Sequence, residues 1–600
     1  MRVADVIADR LFELGIRHVF MITGGGAMHL NDAFGKHHGL RCFFFHHEQA
    51  CAMAAEGYVR STGRPVAVNV TTGPGGTNTL TGLLGQWTDS VPVVYISGQV
   101  KYETTVASCR QVPLRQLGDQ EVDILSLVRP LTKFAATILD PADALGLVDK
   151  ALAAATSGRP GPVWLDVPMN VQGAPVLLPP ASTLIDPATD PVFDQAEALR
   201  GVESAVRALE VSRRPLLVAG HGIRLAGAGQ QFLKLVASLD IPVVTTFNGF
   251  DLVPSDEPRW IGRIGTIGTR AGNFALQSAD LILFVGTRNN IRQIGYSWAM
   301  FAPNARKVVV DIDRAELDKP TLRPDIAIHA DAGFFLGAFS RLLPAGSPPM
   351  REQWNAWLAW CQERLVRYPV LGDHPVRSNR IDPYRFVQHL TSLMDTGDTL
   401  VSANGTASIA LFQAGVVRGG ARMICNSGCA SMGYDLPASI GAAIGTGQRV
   451  VCLAGDGSLM MNVQELATLA EHRLPVKIFL LDNGGYASIR QSQKNHFGLP
   501  YVGCGCESGV GFPDFARLAE AFGLQSFVIE SPEQVECTVR DVLELPGPTF
   551  CVVRVDPDCQ FAPKVASERL PDGRMVSRAL DDMWPFLDSA EMALNTVSRP

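Results

Sequence analysis

The chain has 600 residues, of which 46% are hydrophobic and 18% charged, with a formal net charge of −7. That length supports about three or four domains with large cores, and the charge balance lacks the basic footprint of a nucleic-acid binder. Cys504 and Cys506 are the only close pair among scattered cysteines and lack a second pair at zinc-site spacing; no structural metal is expected, and reduced thiols in a cytoplasmic protein fit best.

The N-terminus from Arg2 to Arg10 mixes charges with apolar positions. It reads as an amphipathic helix, not a signal peptide. No apolar run reaches about 18 residues, so no membrane span is expected. Residues 1–170 then alternate strands and helices. The expected strands are His18–Ile22, Arg41–Phe45, Val66–Val70, Val93–Ser97 and Val163–Val167. Each is short and apolar, as a parallel sheet covered on both faces requires. Pro175, Pro179, Pro180, Pro187 and Pro191 mark a linker. A second α/β block covers 192–345, with strands Leu216–Ala219, Pro242–Thr246, Leu281–Val285 and Lys307–Ile312. Pro344, Pro348 and Pro349 open a connection to about residue 380. The third block, 381–560, carries strands Thr399–Ala403, Val450–Ala454 and Val476–Leu481, and the tail 561–600 has no strong periodicity. The expected architecture is α/β, with three doubly wound parallel-sheet domains of which the first and third share a fold.

Chemistry gathers at strand ends. Gly455-Asp456-Gly457-Ser458 follows one apolar run, and Asp482-Asn483-Gly484-Gly485-Tyr486 follows the next. Asp456 and Asn483 offer hard oxygen ligands suited to Mg²⁺, and the glycines let backbone approach a diphosphate at a helix N-terminus. GDG alone would be a tight turn. In the first block, Gly24-Gly25-Gly26-Ala27 follows a strand, where backbone N–H groups of Gly25 and Gly26 could meet a substrate carbonyl; a plain strand-to-helix turn explains it equally well. His46-His47-Glu48-Gln49 opens an expected helix, Ala50 to Arg60. Thr72-Gly73-Pro74-Gly75-Gly76-Thr77-Asn78 ends the neighbouring strand. No G-x-G-x-x-G or P-loop pattern stands in this region.

Taken together, these motifs carry a resemblance. HHEQACAMAAEGYVRSTGRPVAVNVTTGPGGTNTLTGLLGQWTDSVPVVYISGQV resembles the pyrimidine-binding domain of the acetolactate synthase family of thiamine-diphosphate (ThDP) enzymes. SGCASMGYDLPASIGAAIG with GDGSLMMNVQELATL resembles its diphosphate-binding domain. The similarity spans about residues 1–560. Within the family, LRQLGDQEVDI and KVASERLPDGRMVS are similar to carboligases of bacterial surface-polysaccharide pathways, including makers of branched sugars such as yersiniose.

The resemblance implies roles residue by residue. Glu48 matches the glutamate that holds the aminopyrimidine and controls its tautomer; Pro74 and Asn78 match positions beside that ring. Met432 matches the wedge that bends the cofactor, with the Ala430 carbonyl accepting from its amino group. Asp456, Asn483 and the Gly485 carbonyl match the Mg²⁺ ligands. Gly457, Ser458, Gly405, Thr406 and Ala407 would meet the diphosphate, although NGTAS departs from the family's wording there. Gln120, of the Gln120-Glu121 pair, matches a substrate-contacting position. The middle block resembles the family's FAD-binding domain: Gly220-His221-Gly222, Arg288 and Arg292 match positions that approach a non-redox FAD, while Gly265-Thr266-Ile267-Gly268 departs from the usual G-M-H-G. Asp119 stands where acetolactate synthases carry Phe, and Met169 where they carry Lys.

The reading that follows is a Mg²⁺-dependent carboligase. It would decarboxylate pyruvate and transfer the two-carbon unit to a carbonyl acceptor, such as a nucleotide-linked keto-deoxysugar. Acetolactate synthesis, simple decarboxylation and a non-catalytic nucleotide-binding role are the alternatives. The family pairs pyrimidine and diphosphate domains across a dimer, so a homodimer or homotetramer is expected, without nucleic acid or membrane as partner.

Overall fold

The computed structural model describes residues 1–176, 192–343, 348–376, 379–569, 572 and 574–597. Three six-stranded sheets, each wholly parallel, form its core. The first holds β1 (His18–Met21), β2 (Arg41–Phe44), β3 (Val66–Val70), β4 (Val93–Gln99), β5 (Phe134–Thr137) and β6 (Val163–Pro168), in the order β2-β1-β3-β4-β6-β5. The second holds β7 (Pro215–Ala219), β8 (Val243–Thr245), β9 (Trp260–Arg263), β10 (Leu281–Val285), β11 (Arg306–Asp311) and β12 (Ile326–His329), in the order β12-β11-β10-β7-β8-β9. The third holds β13 (Thr399–Ser402), β14 (Arg422–Cys425), β15 (Val450–Gly455), β16 (Val476–Asp482), β17 (Gln525–Ile529) and β18 (Thr549–Arg554), in the order β14-β13-β15-β16-β18-β17.

The three-sheet α/β architecture agrees with the sequence reading. The first and third sheets share one strand order. The middle sheet, read from β9, runs as the dinucleotide-binding order 3-2-1-4-5-6, with its switch point between β7 and β10. Strands absent from the reading are β5, β9, β12, β14 and β17, all at sheet edges, and β18 one place inside. An edge strand is covered on fewer sides, so it needs no continuous apolar run; β17 and β5 are largely half-exposed.

The first and third domains meet through two helices. Glu48–Thr62, longer than expected at both ends, crosses Asp435–Thr446. The approach is backbone to backbone: a Cβ on Gly57 would overlap the Ala438 carbonyl, and one on Gly441 the Ala54 carbonyl. Arg60 lies buried there, donating to Glu56 Oε1 at 3.1 Å and to the Cys425 carbonyl at 2.8 Å. Tyr434 also donates to Glu56 at 3.0 Å. Burial pushes the Glu56 carboxyl up to about 7.

Two expectations about the rest of the chain change. Pro348 and Pro349 begin a 20-residue helix, Pro348–Arg367, rather than an irregular connection; Trp354 and Trp357 dock it by donating to the carbonyls of Ser212 and Pro215, each at 2.9 Å. Pro179, Pro180, Pro187, Pro191 and Pro344 lie outside the described residues. The tail is structured: Lys564–Val565 pairs with Met583–Trp584, Ser567–Arg569 with Met575–Ser577, and a helix spans Ser589–Asn595. Among the described residues no helix is long and apolar enough to cross a membrane.

Candidate active site

At the carboxyl edge of the third sheet, Asp456 follows β15 and is buried. Its Oδ1 accepts from Gly457 N at 2.6 Å; its Oδ2 accepts from Gly485 N at 2.8 Å and Asn483 N at 3.2 Å. Burial pushes this carboxyl up to about 6, against the pull of those N–H groups. Asn483 Oδ1 is buried and accepts no hydrogen bond among the described residues. A buried amide oxygen without a donor, beside a carboxylate, is the arrangement a hard cation completes. Gly485 sits at φ +144°, where a Cβ would overlap the Cys504 carbonyl, so its glycine is sterically required. The sequence pattern predicts a helix over Asn462 to Glu471 after β15; the helical segment instead starts at Asp456, passes through a 3₁₀ turn at Met460–Asn462 and resumes at Glu465–Glu471.

Two residues past the neighbouring strand β13, Asn404 caps the helix Gly405–Ala414 by accepting from Gly405 N at 2.7 Å. Gly405 N is committed to that cap, and the helix presents the N–H groups of Thr406 and Ala407 to the same rim, a ready anion site; the Ala407 side chain itself is packed in the core. Asn404 also donates to the Ala430 carbonyl at 2.8 Å, so the oxygen expected to serve a ligand already has one protein donor and one remaining lone pair. Ala430 adopts φ +54°, a left-handed conformation an alanine rarely takes. Asn426 pins it by accepting from Ala430 N at 3.1 Å. Met432 is half-buried, and its Cε lies 3.2 Å from where a Cβ on Gly457 would stand; Tyr486 fills the other side of that space. Ser458 Oγ accepts from Gly433 N at 2.9 Å.

On the first sheet, Glu48 is the first residue of its helix, where the helix dipole favours a carboxylate. Asn78, at the end of the Pro74–Thr77 turn, donates to Glu48 Oε2 at 3.0 Å. The two motifs thus converge. The glycine triplet behaves differently from expectation: Gly26 N donates to Thr71 Oγ1 at 3.1 Å, and a Cβ there would overlap Thr72 Oγ1. Gly26 is a packing glycine whose N–H is committed; Gly25 alone stands open.

Gln120 is exposed at φ +60°, with its backbone carbonyl against Gly73. Glu121 is buried and organises this loop, accepting from Val106 N at 2.5 Å, Leu117 N at 3.0 Å and Gly118 N at 3.4 Å. Asp119 is exposed beside it, and half-buried Met169 begins the turn after β6, next to Asn170, which accepts from Tyr102 N at 3.1 Å.

In the middle domain, a cleft opens at the β7–β10 switch point. His221, Arg288, Arg292, Asp311 and, from the other two domains, Asp89 and Phe412 are among its walls. Arg292 lies 5.2 Å over the Phe247 ring, and burial lowers its guanidinium pKa. Gly220 and Gly222 are required by packing: a Cβ on either would overlap or crowd Gly286. The sequence reading missed Asn404, Asn426, Tyr486 and Glu121. Asn404 carried a signal, an Asn ahead of a helix start; the other three act through contacts that local spacing does not reveal.

Comparison with known proteins agrees with this geometry. Residues 1–127 match the thiamine pyrophosphate enzyme N-terminal TPP binding domain, 202–339 the central domain, and 403–553 the C-terminal TPP binding domain. Over 94% of its length the chain is 30% identical to the acetolactate synthase isozyme 1 large subunit of Escherichia coli, covering 95% of that protein. It is 31% identical to a probable chloroplastic acetolactate synthase 2 of Oryza sativa (94% of this chain, 84% of the relative) and 32% identical to the acetolactate synthase large subunit of Pyropia yezoensis (93% and 92%).

Proposed function

The chain belongs to the thiamine pyrophosphate enzyme family as a ThDP-dependent, acetolactate synthase-like enzyme, and from that premise we propose a carboligase that takes pyruvate as donor and a hydroxylated ketone as acceptor. The observation that carries the reading is the Asp456–Asn483 donor set beside the open helix start at Gly405. In this reading Asp456, Asn483 Oδ1 and the Gly485 carbonyl would hold Mg²⁺, while Ser458 and the N–H groups of Thr406 and Ala407, just past Gly405, would hold the diphosphate. ThDP, when bound, supplies the nucleophilic carbon. Glu48, fixed through Oε2 by Asn78, carries the exchanging proton at Oε1. Met432 and Tyr486, packed against Gly457, would lie against the cofactor and limit the access of water to it. The middle cleft would take FAD in a non-redox role, with Arg288 and Arg292 in its walls as the residues to approach it.

Acceptor choice falls to the loop carrying Asp119 and Gln120. A carboxylate at Asp119 repels a second 2-ketoacid and accepts hydrogen bonds from hydroxyls. Met169 adds no positive charge to offset it. The acceptor class is therefore a keto-deoxysugar, free or nucleotide-linked. Two chains joined across a dimer would bring Glu48 of one to the cofactor of the other.

The test is to incubate the purified enzyme with pyruvate, Mg²⁺ and ThDP and a panel of 2-ketoacids and keto sugars, with products read by mass spectrometry. The sugar adduct should outweigh acetolactate. Efficient acetolactate formation with every sugar ignored would make the chain an acetolactate synthase. Acetaldehyde alone would make it a decarboxylase.

A further inference from the structure

Away from the strand-end motifs, two side chains eight positions apart meet a third, distant in sequence, at the base of the C-terminal tail. His374 follows the turn Val370–Asp373, Asp382 caps the helix Pro383–Ser392, and Cys559 lies beyond β18. His374 Nδ1 is 3.4 Å from Asp382 Oδ2 and 3.9 Å from Cys559 Sγ, and Sγ is 3.6 Å from Oδ2. We propose that these three atoms bind a zinc-class divalent cation tetrahedrally, with water as the fourth ligand.

The distances favour it. Metal–nitrogen and metal–oxygen bonds of about 2.0–2.1 Å and a metal–sulfur bond of about 2.3 Å give tetrahedral ligand–ligand edges of roughly 3.3–3.6 Å. The triangle in the protein is within a few tenths of an ångström of that. The orientation favours it too. His374 Nε2 lies 2.8 Å from the Ala562 carbonyl, an acceptor only, so this nitrogen carries a proton and Nδ1 is the ring atom left to face the cluster. A backbone carbonyl on the far nitrogen is the usual way a metal-bound histidine is oriented. The ring is also stacked on Tyr384, with centroids 3.8 Å apart.

Asp382 divides its work in the same manner. Oδ1 accepts from Tyr384 N at 2.8 Å and Arg385 N at 3.1 Å, leaving Oδ2 to the cluster. Without a positive charge, the Nδ1 lone pair faces a carboxylate oxygen, two acceptors in opposition. A cation between them reverses that sign, and a thiolate with a carboxylate balances its double charge. Binding displaces the thiol proton, and any proton on Nδ1, to solvent. Sulfur and imidazole donors select a zinc-like ion over Mg²⁺, so the two metals would not compete for one site.

The cation would secure the base of the tail. Ala562 is followed by Pro563, whose carbonyl accepts from Gln413 at 2.6 Å, and by Lys564, which donates to Gln491 at 3.1 Å on the helix after Gly485. The role is structural and holds whichever acceptor the enzyme uses.

The experiment uses the full chain, reduced and loaded with ThDP and excess Mg²⁺, carrying C506S and C537S to remove its exposed thiols. Co²⁺ titration should show thiolate charge-transfer absorption and intense tetrahedral bands saturating at one equivalent, displaced by Zn²⁺. Zn²⁺ should raise Tm. Cys559→Ser should abolish the charge-transfer band and the Tm rise, and His374→Gln or Asp382→Asn, the latter keeping the helix cap, should weaken binding at least tenfold. The proposal is overturned if no band appears, or if the band and stoichiometry survive all three substitutions.

Discussion

The first and third sheets share a strand order, and their registers superpose. Val66 pairs with Val93 as Val450 pairs with Val476, and His18 pairs with Arg41 as Thr399 pairs with Arg422. On that frame Thr72 occupies the place of Asp456, and Gly24 that of Gly405. The surroundings differ. Thr72 turns its hydroxyl inward to the Gly98 carbonyl at 3.1 Å; Asp456 gathers N–H groups at the rim. A Cβ on Gly24 would overlap Thr71, whereas one on Gly405 would meet nothing within 4 Å. One rim is packed shut against its neighbours and the other stands open to an anion. The scaffold places loops at a common edge, and single side chains decide which edge holds a diphosphate.

Breaking the open rim should have the largest effect. Asp456→Ala is expected to lose ThDP retention and turnover together, because a metal bridge would join protein to diphosphate. Titration calorimetry checks it, and unchanged affinity would remove Asp456 from the metal site. At the other rim, Glu48→Ala should lower turnover by roughly 10²–10⁴-fold while cofactor affinity stays largely intact; steady-state kinetics with calorimetry separates the two rims. If both variants lose the cofactor equally, the division of labour fails.

The sheets also differ inside. Asp166 is buried where the third sheet has Val552, as their strand registers show. Burial pushes the Asp166 carboxyl up to about 7, although Ser97 and Gln99 donate to it. A folded-state pKa above the unfolded one means that the folded protein keeps a proton the unfolded chain releases. This residue therefore costs stability as pH rises from about 4 to 7, by at most ~4 kcal/mol, and the cost stays above that window. Asp166→Asn should flatten the fall in Tm across this range; an identical profile would show that other groups set it. Gly57→Ala and Gly441→Ala strike the two matching helices from opposite sides and should each destabilise by about 1–3 kcal/mol, measured by chemical denaturation. The smallest effect is at the acceptor loop: Asp119→Phe should move the kcat/KM ratio toward acetolactate by about tenfold. No movement would place acceptor choice elsewhere.

The amino-acid sequence by itself determined the α/β class and the buried strands, and it put Glu48, Asn78, Asp456 and Asn483 just past strand ends, because each placement rests on short-range order: an apolar run covered on both faces, then a turn; the roles proposed for Glu48 and Asn78 came from the family resemblance. Edge strands such as β5 and β17 escaped it, since partial cover relaxes the demand for apolar residues. What each atom faces was decided only by tertiary structure. Gly26 N is committed to Thr71, the Ala430 carbonyl is shared with Asn404, and Gln120 is set against Gly73. His374, Asp382 and Cys559 meet although Cys559 lies 185 and 177 positions from the other two. Hydrogen bonds over such separations depend on how whole domains pack, and local periodicity holds no record of that packing.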